Sequence, residues 1–152
     1  MGLDISHDAW HGAYSAFMRW RQRIAIALDY PPLELMEGFF QKDGYSDPIK
    51  DFAKLCPHLA ETYYESLPIK WEGLRPSPII ELLHHSDCEG EIDIELLRPI
   101  ADALEELLPR LEGMQVDDQP GGHLSDGYVE VTKRFIKGAR AAASAQEPLE
   151  FA

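Results

Sequence analysis

Pro99-Ile100-Ala101-Asp102-Ala103-Leu104-Glu105-Glu106-Leu107-Leu108-Pro109-Arg110-Leu111-Glu112-Gly113 carries the plainest structural pattern in the chain. Ile100, Leu104, Leu107, Leu108 and Leu111 recur at spacings of three and four, which lines them along one stripe of an α-helix. Asp102, Glu105, Glu106 and Glu112 read as its solvated face. A helix of this kind cannot bury its stripe alone, so other elements must supply the opposing surface.

Two flanking segments have the same period. From Asp8 to about Asp29, the residues Ala13, Phe17, Trp20, Ile24 and Leu28 predict a helix, with Asp8 as N-cap and Pro31-Pro32 as stop. From about Ser125 to Ala145, Val129, Thr132, Phe135, Ile136 and Ala139 predict another. Between them lie a short helix from Leu33 to Phe40, a turn at Lys42-Asp43-Gly44, and helical stretches from Asp47-Pro48 through Leu67, interrupted at Pro57. Pro68, Gly73, Pro76 and Pro78 mark an ordered connection packed by Trp71, which leads into the apolar run Ile79–Leu83. Val116 to Gly122 reads as a loop. Residues 2–6 alternate as a strand would, and Pro148-Leu149-Glu150-Phe151 reads as a second strand that could pair with them. The expected fold class is mainly α (α+β): one compact helical domain over residues 1–152 with a short β pair.

Composition narrows the function classes. The chain has 152 residues, 27 acidic against 14 basic, and a formal net charge of −13. That charge repels phosphate backbones and anionic lipid surfaces, so general nucleic-acid binding and membrane binding are not expected. It leaves a locally basic pocket, a basic partner or a homo-oligomer open. Cys56 and Cys88 have no metal-ligand spacing, and two cysteines point to a reducing compartment. Cys88 lies between Asp87 and Glu89, which disfavour a thiolate, so no nucleophile is assigned. No apolar run approaches the ~20 residues of a membrane span, and no signal peptide is visible. Gly2 fits a myristoylation pattern, but one acyl chain without a basic patch anchors weakly.

Four stretches hold the residues that could do chemistry. His7-Asp8-Ala9-Trp10-His11 has the frame of the H-E-x-x-H metal motif, with Asp8 where the longer Glu belongs. An N-cap Asp flanked by surface histidines explains the same letters. His85-Ser86-Asp87-Cys88-Glu89-Gly90-Glu91-Ile92 imitates a calcium loop but has His85 at the first position and Leu96 at the twelfth, where acidic ligands are required. A self-capped turn is the plainer reading. Arg19-Trp20-Arg21-Gln22-Arg23 concentrates three arginines, while Trp10, Tyr14, Met18 and Arg21 share a helical stripe. Aromatic rings beside arginine suit a planar base with attached phosphate, although pairing with the many nearby carboxylates is the plainer reading of the arginines. Gly121-Gly122-His123 stands at the mouth of the last predicted helix, where an anion could sit.

The run from Gly2 to Phe17 resembles the opening of a family of small uncharacterised bacterial and phage proteins. His84 to Ile92 is similar to that family's second signature, and Phe135 to Ala142 with Pro148 to Phe151 to its ending. The resemblance implies a bacterial or phage setting and a cytoplasmic location, and it transfers no activity.

Three functions are therefore expected to compete. The first is a protein that binds a small anionic, nucleotide-like ligand, such as a phage protein sequestering a host signalling nucleotide. Trp10 and Tyr14 would stack on the ligand, Arg19, Arg21 or Arg23 would meet phosphate, and His7, Asp8, His11, His85 and Asp87 would complete the pocket. The second is a metal-dependent hydrolase in which His7, His11, His85, Asp87 and His123 converge on a divalent ion. The third is an acidic protein-interaction module. The first two require the start of the amino-terminal helix to meet the turn at residue 85.

Overall fold

The computed structural model describes residues 2–39, 68–113 and 127–152. Strands β1 (Gly2–Ile5), β2 (Trp10–Ala13), β3 (Gly90–Ile92) and β4 (Leu149–Phe151) form an antiparallel sheet in the order β2-β1-β4-β3. Helices α1 (Tyr14–Ala27), α2 (Ile79–Leu83), α3 (Ile94–Glu112) and α4 (Gly127–Ser144) accompany it, an α+β arrangement in which helix predominates. The stretches expected at Lys42-Asp43-Gly44, from Asp47-Pro48 to Leu67 and from Val116 to Gly122 lie outside the described residues.

The pairing expected between the two ends of the sequence is present. Ile5 faces Phe151, and the Asp4 and Ala152 backbones exchange two hydrogen bonds of 2.9 Å. The amino-terminal segment departs from expectation. Residues 10–13 are strand β2, and the helix begins only at Tyr14, so Asp8 caps nothing. With β4 on one side of β1, a helix starting at Asp8 would leave the other side's N–H and C=O groups unpaired. The hairpin satisfies them through the Leu3–Gly12 and Ile5–Trp10 pairings.

Helix α3 departs in the opposite direction: it starts at Ile94 and carries Pro99 and Pro109 inside it. Both prolines are exposed, as are Glu95 and Glu105, whose carbonyls each lose a partner. Water can take up those carbonyls, so the helix continues. The helix expected from Leu33 to Phe40 shrinks to one 3-10 turn, Leu33–Leu35.

Helices α1 and α4 both end without glycine. Past α1, Asp29 adopts φ 60°, Tyr30 N–H donates to the Ala25 carbonyl and Asp29 N–H to that of Ile26. Past α4, Gln146 adopts φ 58° and the corresponding bonds run from Glu147 to Ala142 and from Gln146 to Ala143. Each is a Schellman closure that turns the chain back towards the core.

One face of the sheet packs on the helices through Leu3, Ile5, Trp10, Leu149 and Phe151, all buried. Trp20, fully buried, sits at the centre: Trp10 stacks on it at 5.4 Å, and Phe17 and Phe135 pack at 5.7 and 5.1 Å. Its indole N–H donates to Thr132 Oγ1 at 2.9 Å, and that hydroxyl donates to the Tyr128 carbonyl at 2.6 Å. Across α4, Gly138 lies against Ala9; a Cβ built at 138 would fall 2.5 Å from the Ala9 Cβ and 2.6 Å from its Cα. Gly138→Ala must therefore push the hairpin off α4. Thermal denaturation is expected to show a loss of about 1–3 kcal/mol, the range for overpacking, against little change for Ser144→Ala on the exposed side.

Candidate functional site

The hairpin joining β1 to β2 turns on Ser6-His7-Asp8-Ala9. Ala9 N–H donates to the Ser6 carbonyl at 3.2 Å, and His7 and Asp8 take φ values of 57° and 59°. Two successive left-handed residues give the type I′ pattern, for which Asn-Gly is the favoured pair. His and Asp enter this region more readily than most residues but still pay for it. Strain of this kind is retained where the side chains matter.

Those side chains are held in place. His7 Nε2 contacts Glu147 Oε2 at 2.8 Å, beyond the end of α4. His11, on β2, bridges Asp4 through Nδ1 at 2.7 Å and Asp8 through Nε2. The Asp4 hydrogen bond, followed by that of Asp8, raises the His11 pKa above its ordinary 6.5, against a smaller opposing effect of burial. Both carboxylates accept from the ring, so the imidazolium clamps strand to turn.

Between this turn and α4 lies a cavity of about 550 Å³. His7 and Asp8 form one wall, and Lys133, Arg134, Lys137, Gly138 and Glu130 of α4 form much of the other. Its two carboxylates are both ion-paired: Asp8 with His11, and Glu130 with Lys133 at 3.6 Å. The close Gly138–Ala9 contact fixes the turn against the helix and so sets the cavity's floor. Sequence reasoning missed Lys133, Arg134 and Lys137. The signal was present: with Arg140 they place four of the chain's 14 basic residues within one eight-residue stretch.

The expected single site does not form. His7 and His11 lie in a turn and a strand, so they do not share a helical face as the metal motif demands. Trp10 is 4% exposed and stacked in the core, where it cannot receive a ligand's base. Tyr14 is half-buried against that core. Arg23 lies over the Tyr128 ring at 5.6 Å, and neither Arg19 nor Arg23 lines the cavity. His85 packs on Phe151 beside β3, while His11 projects from β2, at the opposite edge and on the opposite face of the sheet.

Arg21 does meet the turn after α2. Its guanidinium is 1% exposed, and Nη1 donates to the carbonyls of Leu82, Leu83 and His85 at 3.3, 3.1 and 2.7 Å. These are the carbonyls left open at the end of a helix, so the cation caps α2 and anchors the turn. Burial lowers the Arg21 pKa to about 10, with Asp87 nearby opposing the shift. The turn itself is self-locked: the two His85 ring nitrogens lie 2.8 and 3.0 Å from the Ser86 and Glu91 carbonyls, and Cys88 N–H donates to Ser86 Oγ. His85 lies over Gly90, whose φ of 100° suits glycine. The segment then enters β3, and the imitation of a calcium loop ends there.

Among the described residues, no group of three or more His, Cys, Asp or Glu side chains is placed to hold a metal ion. His123, assigned to the metal set, lies outside them. The chain matches no family model, no curated protein and no solved structure.

Two outcomes test this geometry. His11 binds its proton more tightly folded than unfolded, so the clamp's stabilisation is fully present below pH 6.5 and fades as pH rises through the elevated folded value. Urea denaturation at a series of pH values should show that fall, and His11→Gln should remove it. Replacing His7-Asp8 by Asn-Gly should relieve the turn and raise stability by up to about 1 kcal/mol per residue, read as a higher urea midpoint. A lower midpoint would mean that the His7–Glu147 and Asp8–His11 contacts together outweigh the backbone strain.

Proposed function

We propose that this protein binds a small, multiply charged anion of nucleotide size, and that it does so in the cavity between the His7-Asp8 turn and α4. The reading rests on one observation: in a chain of net charge −13, this cavity gathers Lys133, Arg134 and Lys137 against two ion-paired carboxylates. Lys133 and Lys137 are four residues apart, so they reach the same side of the helix. A volume of about 550 Å³ falls within the range of small-molecule sites.

The chemistry differs from that expected of Trp10 and Arg21. Among the described residues no Phe, Tyr or Trp lines the cavity, so recognition falls on phosphate or carboxylate groups. Protonated His11 offsets the charge of Asp8 at the cavity wall, and the ligand would exchange Lys133's contact with Glu130 for its own. The resemblance to bacterial and phage proteins extends the proposal to a cytoplasmic protein that sequesters an anionic metabolite, such as a signalling nucleotide, without transforming it. No helix among the described residues is long and apolar enough to cross a membrane.

Calorimetric titration with pyrophosphate and a panel of mono- and polyphosphorylated nucleotides tests the proposal. Binding should weaken with added salt and strengthen as pH falls from 8 to 6, as the His11 imidazole gains charge. Lys137→Glu should weaken it by about tenfold or more, equivalent to about 1.4 kcal/mol. The bound compound should be recovered unchanged. Equal affinity in Lys137→Glu, or no binding across the panel, would overturn the assignment.

A further inference from the structure

A second cavity, of about 220 Å³, opens beside the buried Arg21 of α1. Arg21, Glu37, Phe39, His84, Ser86 and Asp87 are among its lining residues. Its volume is below the ~300 Å³ at which drug-sized sites begin, so it suits a ligand smaller than a nucleotide. The wall is bipolar: one buried cation, Arg21, and two carboxylates, Asp87 and Glu37, border the same space.

The arginine is incompletely satisfied. Nη1 is committed to three carbonyls and Nη2 has the Met18 sulfur at 3.6 Å, a weak acceptor, while Nε has no partner. The Nε–Nη2 edge is the side of a guanidinium that takes a carboxylate through two parallel hydrogen bonds, and no oxygen of the described residues bonds Nε. The cation lies 4.6 Å from the Phe17 ring centroid and 5.7 Å from that of Phe39. Rings and carbonyls stabilise it, but no carboxylate forms a salt bridge with it among the described residues. Asp87 offsets this buried charge only at a distance, and a ligand carboxylate on the guanidinium would supply a direct counter-ion.

We propose that this cavity binds a zwitterion of amino-acid size, its carboxylate on the Nε edge of Arg21 and its ammonium between Asp87 and Glu37. The ligand's side chain then lies against the Phe39 ring. The site stands apart from the anion cavity, since the two share no lining residue. Because Arg21 also caps α2, a ligand seated there would tighten the turn that leads into β3.

The test is calorimetric titration of the full chain with the 20 L-amino acids, followed by the methyl ester and the N-acetyl derivative of each binder. At least one amino acid should bind, and masking either charged end should weaken it by about tenfold or more, or about 1.4 kcal/mol. Asp87→Asn and Glu37→Gln, both on accessible side chains, should each weaken the free amino acid and leave the N-acetyl derivative unaffected. Absence of binding by every amino acid would overturn the proposal. So would a masked derivative, or both carboxylate variants, binding as well as the parent pair.

Discussion

The packing of Trp10 on Trp20 is the constraint on which the remaining geometry depends. Trp20 comes from α1, Trp10 from β2, Phe135 from α4 and Phe151 approaches Phe17 from β4, so one aromatic cluster joins every element that borders the hairpin. Large rings dominate core energetics because each removes a large apolar area from water, and their edges and faces fix relative orientation. The Trp20 indole adds a direction to this, since its N–H reaches Thr132 and aligns α1 with α4. With the hairpin drawn onto α4 in this way, only glycine fits at position 138.

That packing separates two electrostatic environments. In one, a strained His7-Asp8 turn faces a basic stretch of α4. In the other, Arg21, the residue after Trp20, stays against the Phe17 ring and turns its guanidinium into the carbonyls at the end of α2. Neighbouring residues on α1 thus serve opposite ends of the domain's polar chemistry. Arg140 has a different part: it binds Asp102 and Glu105 of α3 at 2.9 Å, and its hydrogen bonds hold the Glu105 carboxyl below its ordinary range. This exposed fork ties α3 to α4, whose extensive contact forms the broad base of the fold.

Much of the helical framework was legible in the spacing of apolar residues. Ile100, Leu104 and Leu107 all face inward, as do Phe17, Trp20 and Ile24, because burial selects the same residues that set the period. Boundaries were harder to read. The clear apolar period began only after Pro99, yet the helix starts at Ile94, since an exposed proline can sit inside a helix when water takes the freed carbonyl. Asp8 suggested a cap because acidic residues favour that place, yet backbone pairing along β1 had the stronger claim. The ends of α1 and α4 were marked by Asp29 and Gln146 instead of the glycine that usually signals such closures.

The candidate sites divide along the same physical line. Sequence by itself determined the period of the helices, the acidic balance, and the stretches where histidine, arginine and aspartate gather, since these are properties of neighbours along the chain. Only the tertiary structure decided which of those residues were available: Trp10 went to the core, Arg21 to the carbonyls of α2, and His7 to a cavity whose cations lie more than 120 residues away in sequence. A ligand site depends on distances between segments and on what each side chain has already bonded. Periodicity along one chain carries information about neither.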